Sequence, residues 1–327
     1  MSYLEGTATS IGHLLVQFFD FAGSNGWSID EDIATDSQDP KRGTIHHPLG
    51  NTYYHFDFSD GQTGDGTLTN YISTGYTPLA IPTDQPGLFY YGHPVTHVAG
   101  AIAAFWFFES DTYLHVVFKN AAGNYRHFHI GLLSKLGNWT GGDYLTGHFV
   151  DAVNNQSPTY FSHSLPFDGA DTNSANTMKG TVVYAKKNSG TGFDLAPELA
   201  TKWYVACPGR GAYPDLDGTL VGEALVTAVR GGIHSPISTI GPSVLTGESP
   251  LVPIQFFAGN NNVSPNRYML LGAFPDIRTV NIKELSAAEE YVSGADTWMA
   301  FPVGRRGSEV GEEQTRYWGY AYKKVIA

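Results

Sequence analysis

Histidines two apart on a strand point to the same face of the sheet. His127 and His129 have that spacing inside the strand-like run Tyr125 to Leu132. His115 lies in the preceding run, Tyr113 to Lys119, and a hairpin between the two runs would bring it onto the same face. Three imidazoles on one face are the donor set of a zinc or iron site, so His115, His127 and His129 are the candidate metal ligands. The other reading of the same spacing is a packed face on which the rings hydrogen-bond among Tyr113, Tyr125 and other aromatics. The chain has 12 histidines, and His46, His47, His93 and His97 fall in loop-like stretches beside Pro48 and Pro94. Those four suit a subunit contact or a loop hydrogen bond as well as a metal.

Other catalytic signatures are missing. Asp57-Phe58-Ser59-Asp60-Gly61 starts like a calcium loop, but its acidic positions do not alternate and Leu68 stands where the bidentate glutamate belongs. Ser189-Gly190-Thr191-Gly192-Phe193 lacks the lysine of a phosphate loop. There is no G-x-S-x-G elbow. Cys207 is the sole cysteine, so no intrachain disulfide forms, and Ala206-Cys207-Pro208-Gly209 reads as a strand end with an inert thiol. No enzymatic activity and no cofactor is expected. Trp139, Trp203 and Trp318 could stack on sugars, or serve as core and subunit-interface residues.

Composition narrows the partners. Charged residues are 15% of the 327, against about 25% in ordinary globular domains. Glycine is abundant at 38 residues, with 19 Tyr and 19 Phe. That mixture makes turns and packed strands, and it is poor material for long solvated helices. The net charge is −12, and basic residues cluster at most in pairs, as at Arg305-Arg306. Broad nucleic-acid binding needs a concentrated basic footprint and is not expected. The most apolar stretch, Val98 to Phe108, is about half of the ~20 residues that span a bilayer. Membrane insertion is not expected, and no basic, apolar leader opens the sequence.

The elements that must position these residues follow from periodicity. Ile11, Leu14, Leu15, Phe18, Phe19 and Ala22 recur at helical spacing behind Thr9 and Ser10, which predicts one amphipathic helix near 9–24. Strand patterns follow at 27–29, 53–58, 88–91, 101–108, 113–119, 125–132, 251–257, 268–272, 297–302 and 317–325. Loops are expected at 36–52, 59–70 and 166–180, and Ser286-Ala287-Ala288-Glu289 has the form of a capping box for one helical turn. The fold class is α+β and β-dominated: antiparallel sheets, sandwich- or barrel-like, with one N-terminal helix. A soft boundary divides 1–165, helix plus sheet, from 166–327, a second β-rich region.

Two stretches carry a resemblance. The first runs from Tyr125 to Tyr144 and contains His127, Gly131, Lys135, Gly137, Trp139, Gly141, Gly142 and Tyr144 in an H-x3-G-x3-K-x-G-x-W-x-G-G-x-Y pattern. The second is Leu271-Gly272-Ala273-Phe274-Pro275-Asp276-Ile277-Arg278-Thr279-Val280-Asn281. It continues in Gly294-Ala295-Asp296-Thr297-Trp298-Met299-Ala300-Phe301-Pro302 and ends in Tyr317-Trp318-Gly319-Tyr320-Ala321-Tyr322-Lys323-Lys324. Over most of its length the chain resembles a group of virion structural proteins of tailed bacteriophages and prophages. The resemblance implies an oligomeric neck, collar or tail component, assembled in the host bacterial cytoplasm, with itself and other neck or tail proteins as partners. In the same frame Trp139, Arg278, Trp298, Arg305, Arg306 and Trp318 are the interface candidates. A receptor- or carbohydrate-binding virion module and a metal-dependent β-sheet enzyme are the alternative functions.

Overall fold

The computed structural model describes residues 2–32, 41–60, 66–88, 93–95, 100–121, 123–147, 167, 181–186, 202–206, 213–214, 220–221, 223–226, 243, 248–260, 267–303 and 318–324. The chain opens with β1 (Ser2–Ala8) and turns into α1 (Ile11–Ser24). Ser10 caps the helix by accepting the His13 N–H. A five-stranded antiparallel meander follows: β2 (Ser28–Asp32), β3 (Lys41–His46), β4 (Tyr53–Asp60), β5 (Gly66–Ser73) and β6 (His93–Val95).

The large sheet begins with β7 (Ile102–Ser110), β8 (Tyr113–Asn120), β9 (Tyr125–Leu132) and β11 (Thr140–Gly147), flanked by the short β10 (Ser134–Lys135). It continues through β12 (Val182–Lys186), β13 (Lys202–Ala206), β16 (Glu223–Val226), β17 (Val252–Asn260) and β18 (Arg267–Asn281). It closes with β19 (Glu289–Ser293), β20 (Asp296–Pro302) and β21 (Trp318–Lys324). A separate two-stranded ladder joins β14 (Tyr213–Pro214) to β15 (Leu220–Val221). The path of the large sheet is β1-β7-β8-β9-β11-β12-β13-β16-β17-β18-β21-β20-β19, antiparallel except where β13 meets β16.

The path doubles back on itself, so the β7–β11 half faces the half built from β17, β18, β21 and β20. Trp106 meets Phe301 at 4.8 Å, Phe108 stacks on Tyr322 at 5.1 Å and Tyr144 meets Phe274 at 4.9 Å. On the opposite face of β7–β11 lie α1 and the meander. Phe18 is the hub there, with its ring 5.3–5.8 Å from Phe56, Phe107 and Phe128. The result is sandwich-like, three layers deep, with a core on either face of the β7–β11 half. The second core draws on both sides of the 165/166 boundary, from Trp106 and Tyr144 to Phe256 and Tyr322.

The helix and the central hairpin lie where periodicity predicts them. β1 was not predicted; it pairs Ser2 with Glu109, far along the chain, and its polar and apolar residues do not alternate cleanly. Three other expectations change. The 59–70 loop shrinks, because β4 and β5 continue as a ladder to Asp60 and Gly66. The loop expected at 36–52 contains β3, which pairs with β4 from Lys41 to His46. The Ser286–Glu289 box makes its capping bond, with Glu289 Oε2 accepting the Ser286 N–H. No helix follows it, because Ala288 adopts a left-handed φ of 63° and gives its N–H to Ala300 O.

Candidate functional site

His115 lies directly opposite His129, and Val117 opposite His127, so the three imidazoles share the face that packs on β18 and β21. All three are 0% exposed. Each ring has at least one nitrogen aimed at a protein partner, and His115 Nδ1 is buried without a hydrogen-bond partner. His127 Nε2 lies 2.9 Å from Pro302 O, which can only accept, so this nitrogen carries the proton. His127 Nδ1 then accepts from Tyr322 Oη at 2.6 Å. The Tyr322 oxygen in turn accepts from His129 Nε2 at 3.3 Å. One directed chain therefore crosses the sandwich, from His129 through Tyr322 and His127 to Pro302. His115 donates from Nε2 to Pro275 O at 2.9 Å, and Tyr113 stacks on its ring at 4.2 Å while donating to Asp276 Oδ2 at 3.2 Å.

A bulge in β18 makes the second contact possible. Pro253 and Gln255, two apart on β17, pair with Arg278 and Ala273, five apart on β18. The slack is taken up at Asp276, whose φ is +48°. That turn aims Pro275 O and the Asp276 carboxylate at β8. Burial pushes the His115 and His127 imidazoles down to about 3 and raises the Tyr113 and Tyr322 hydroxyls well above their usual range. Among the described residues, no group of three or more His, Cys, Asp or Glu is arranged to hold a metal ion. The predicted shared face is present, but its rings are committed to Tyr322 and to backbone carbonyls.

A second polar cluster was not picked out from the sequence. His55 sits between Ser73 and Thr44, with Nε2 2.7 Å from Ser73 Oγ and Nδ1 2.9 Å from Thr44 Oγ1. A serine, a histidine and a third hydroxyl in line look like nucleophile activation. The protons run the other way. Ser73 gives its hydroxyl hydrogen to Gly75 O at 2.6 Å, so it accepts from His55 Nε2, and Thr44 donates to Nδ1. Burial lowers His55 to about 4, and Ser73 is 0% exposed. This is a latch holding the meander's outer face, not a charge-handling site. The signal for it in the sequence was the Tyr53/His55/Asp57 alternation, which assigns His55 to that face.

A third latch joins the meander to the large sheet. Asp143 Oδ1 accepts from the Asn51 N–H at 2.9 Å and the Thr52 hydroxyl at 3.1 Å, and burial raises its pKa. Tyr54 Oη donates to Gly131 O at 3.1 Å. Gly131 has φ +148°, and a side chain there would run into Thr112 O. The remaining glycines of the first signature, Gly137, Gly141 and Gly142, also have positive φ, between 87° and 104°.

The interface candidates divide. Trp139 turns into the core, 7% exposed, its indole donating to Leu136 O and Lys135 sitting 5.4 Å over its ring. Trp298 is 5% exposed and carries the Arg278 guanidinium at 5.1 Å. Trp318 and Trp203 lie on β21 and β13. Arg305, Arg306, His97 and Cys207 lie outside the described residues. His46 pairs with Asp30 at 2.6 Å, and the His47 ring accepts the Leu49 N–H.

The large exposed hydrophobics are elsewhere. Leu79 and Ile81 occupy the loop after β5, 75% and 51% exposed. The loop is pinned: the buried Gln85 amide bonds Thr77 N, Thr77 O and Ala80 O, and Arg42 donates to Leu79 O. Leu79 itself is held at φ 61°, a conformation leucine adopts only when its surroundings impose it. Compared with known protein families and with curated proteins, the chain finds no match.

Proposed function

We propose that this chain is a structural component of a tailed-bacteriophage virion, an oligomeric neck, collar or tail protein that works through subunit contacts. The resemblance of the two quoted stretches suggests the reading. One observation carries it furthest: the groups that could do chemistry are used to tie layers and neighbouring strands together, while rigid loop backbone presents Leu79 and Ile81 to solvent. An assembly subunit needs a frame that does not yield and apolar knobs already in place, because pre-ordered contacts spare the entropy of ordering on docking. Ring subunits make heterologous contacts that close by rotation.

Mass photometry over a range of concentrations tests this reading. A discrete closed oligomer that Leu79→Lys dissolves supports it. A monomer at every concentration, unchanged by Leu79→Lys, counts against self-assembly and turns attention to glycan or receptor binding.

A further inference from the structure

We infer that the outer edge of β1 is a docking site for an extended segment of a partner chain, in which an aliphatic side chain is flanked by lysine or arginine. The inference stands apart from the virion reading and does not need it. β1 pairs with β7 on one side only, and among the described residues no strand pairs with its other side. β1 itself is regular, since the irregularity beside Gly6 places the extra residue on β7. Thr7 O accepts from Gln17 Nε2 at 3.2 Å, so the Thr7 carbonyl points away from β7. Backbone groups alternate along a strand, so those of Tyr3 and Glu5 point the same way. The Gln17 bond closes one end of the open edge, and the bond from Ser2 Oγ to Asn25 Oδ1 closes the other. Between them the edge carries no proline and no lysine, the usual guards against strand addition.

A shallow depression of about 310 Å³ runs beside this edge, lined by Leu4, Gln17, Asp20, Phe21 and Ser24. Leu4 lies opposite Phe107 in the ladder and so faces α1, yet it is 37% exposed. Leu4 and Phe21 supply an apolar floor for one side chain of an added strand. The rim is acidic. Asp20 is exposed on the helix side, Glu5 is exposed on the other face of β1, where its carboxylate accepts from Tyr3 Oη, and α1 has no basic residue in its last turn to offset the partial negative charge of its carbonyl end. Lys324, which lies over the Tyr3 ring, is already paired with Glu290. A strand with alternating aliphatic and polar residues, carrying a cation beside the aliphatic, meets all three features by β-augmentation.

The probe is a fluorescein-labelled octapeptide of alternating leucine and threonine with a lysine at each end, titrated by fluorescence anisotropy. Saturable binding is expected, with hydrogen-exchange protection gained at the Tyr3 and Glu5 amides. Glu5→Pro removes an outward N–H, which an edge strand tolerates, and should weaken binding by about tenfold or more. Unchanged protection of the β7 amides verifies that the variant is folded. Asp20→Lys leaves the backbone alone and should weaken binding severalfold, as should replacing the peptide's lysines by aspartates. No saturable binding, protection at another edge such as β6, or binding indifferent to both Glu5→Pro and Asp20→Lys overturns the inference.

Discussion

Lowering the pH from 7.5 to 5.5 should strip this protein of several kcal/mol of stability. His55, His115 and His127 are held at about 4, 3 and 3 in the folded state, in each case chiefly by burial. In the unfolded chain each titrates near 6.5. The folded pKa is the lower, so the unfolded state binds more protons. Stability is therefore full above about pH 6.5 and drains away as the pH falls towards the folded values. At pH 5.5 protonation favours the unfolded chain by about 1.4 kcal/mol per histidine, or roughly 4 kcal/mol for the three. His47, also lowered by burial, adds in the same direction. Glu109 and Asp143, raised by burial, act oppositely and regain stability as they protonate, which is why the window stops at 5.5. A loss of this size is a large part of an ordinary folding free energy of about 5–15 kcal/mol. For 327 residues it corresponds to a fall in Tm of roughly 6 °C. Urea unfolding at pH 7.5, 6.5 and 5.5 measures it, at low protein concentration because the isoelectric point is near 5.3. His127→Gln should lower stability at pH 7.5 yet flatten the pH dependence by about a third. A midpoint that stays level or rises towards pH 5.5 would refute the assignment of these imidazoles as buried and neutral.

Tyr322→Phe keeps the ring packed on Phe108 but deprives His127 Nδ1 of its donor and His129 of its acceptor; a loss of about 1–3 kcal/mol in urea unfolding is expected. Phe18→Ala empties the hub between α1, the meander and β7–β9 and should cost about 3–5 kcal/mol, read as a lower urea midpoint. Gln85→Ala releases the loop backbone at Thr77 and Ala80, so the amides of that loop should exchange faster while those of β8 and β9 do not change. Asp143→Leu leaves the Asn51 N–H and Thr52 hydroxyl without their acceptor, and near-neutral unfolding should report a loss of about 1–3 kcal/mol.

Local patterns were legible in the sequence and distant partners were not. The helix could be read from Ile11 to Ala22 because its whole stripe lies within one segment. The His115/His127/His129 face could be read because the hairpin that creates it is closed by the short Asn120–Asn124 turn. What those rings bond to could not be read. Tyr322, Pro302 and Pro275 arrive from strands far along the chain, and a carbonyl acceptor leaves no mark in residue type. The capping box at Ser286 misled because its side-chain bond is local and real, while the Ala288 bond that decides against a helix goes to β20. β1 escaped notice because pairing across a long gap, and not alternation, makes it a strand.

The order of strands along the chain also bears on how the molecule is made. Each strand of the β2–β6 meander pairs with its sequence neighbour, so its pairings are local compared with that of β1. β1 is synthesised before the meander but must wait for β7, with Ser2 finding Glu109 only after the whole meander has been made. During translation, β1 therefore waits for seconds without its partner strand, and Phe18 of α1 without Phe107 and Phe128, at ordinary synthesis rates of about 5–20 residues per second. The closure of β1 on β7 is a long-range contact, the kind that forms slowly, and slowing translation between β6 and β7 lengthens the period in which β1 stays unpaired.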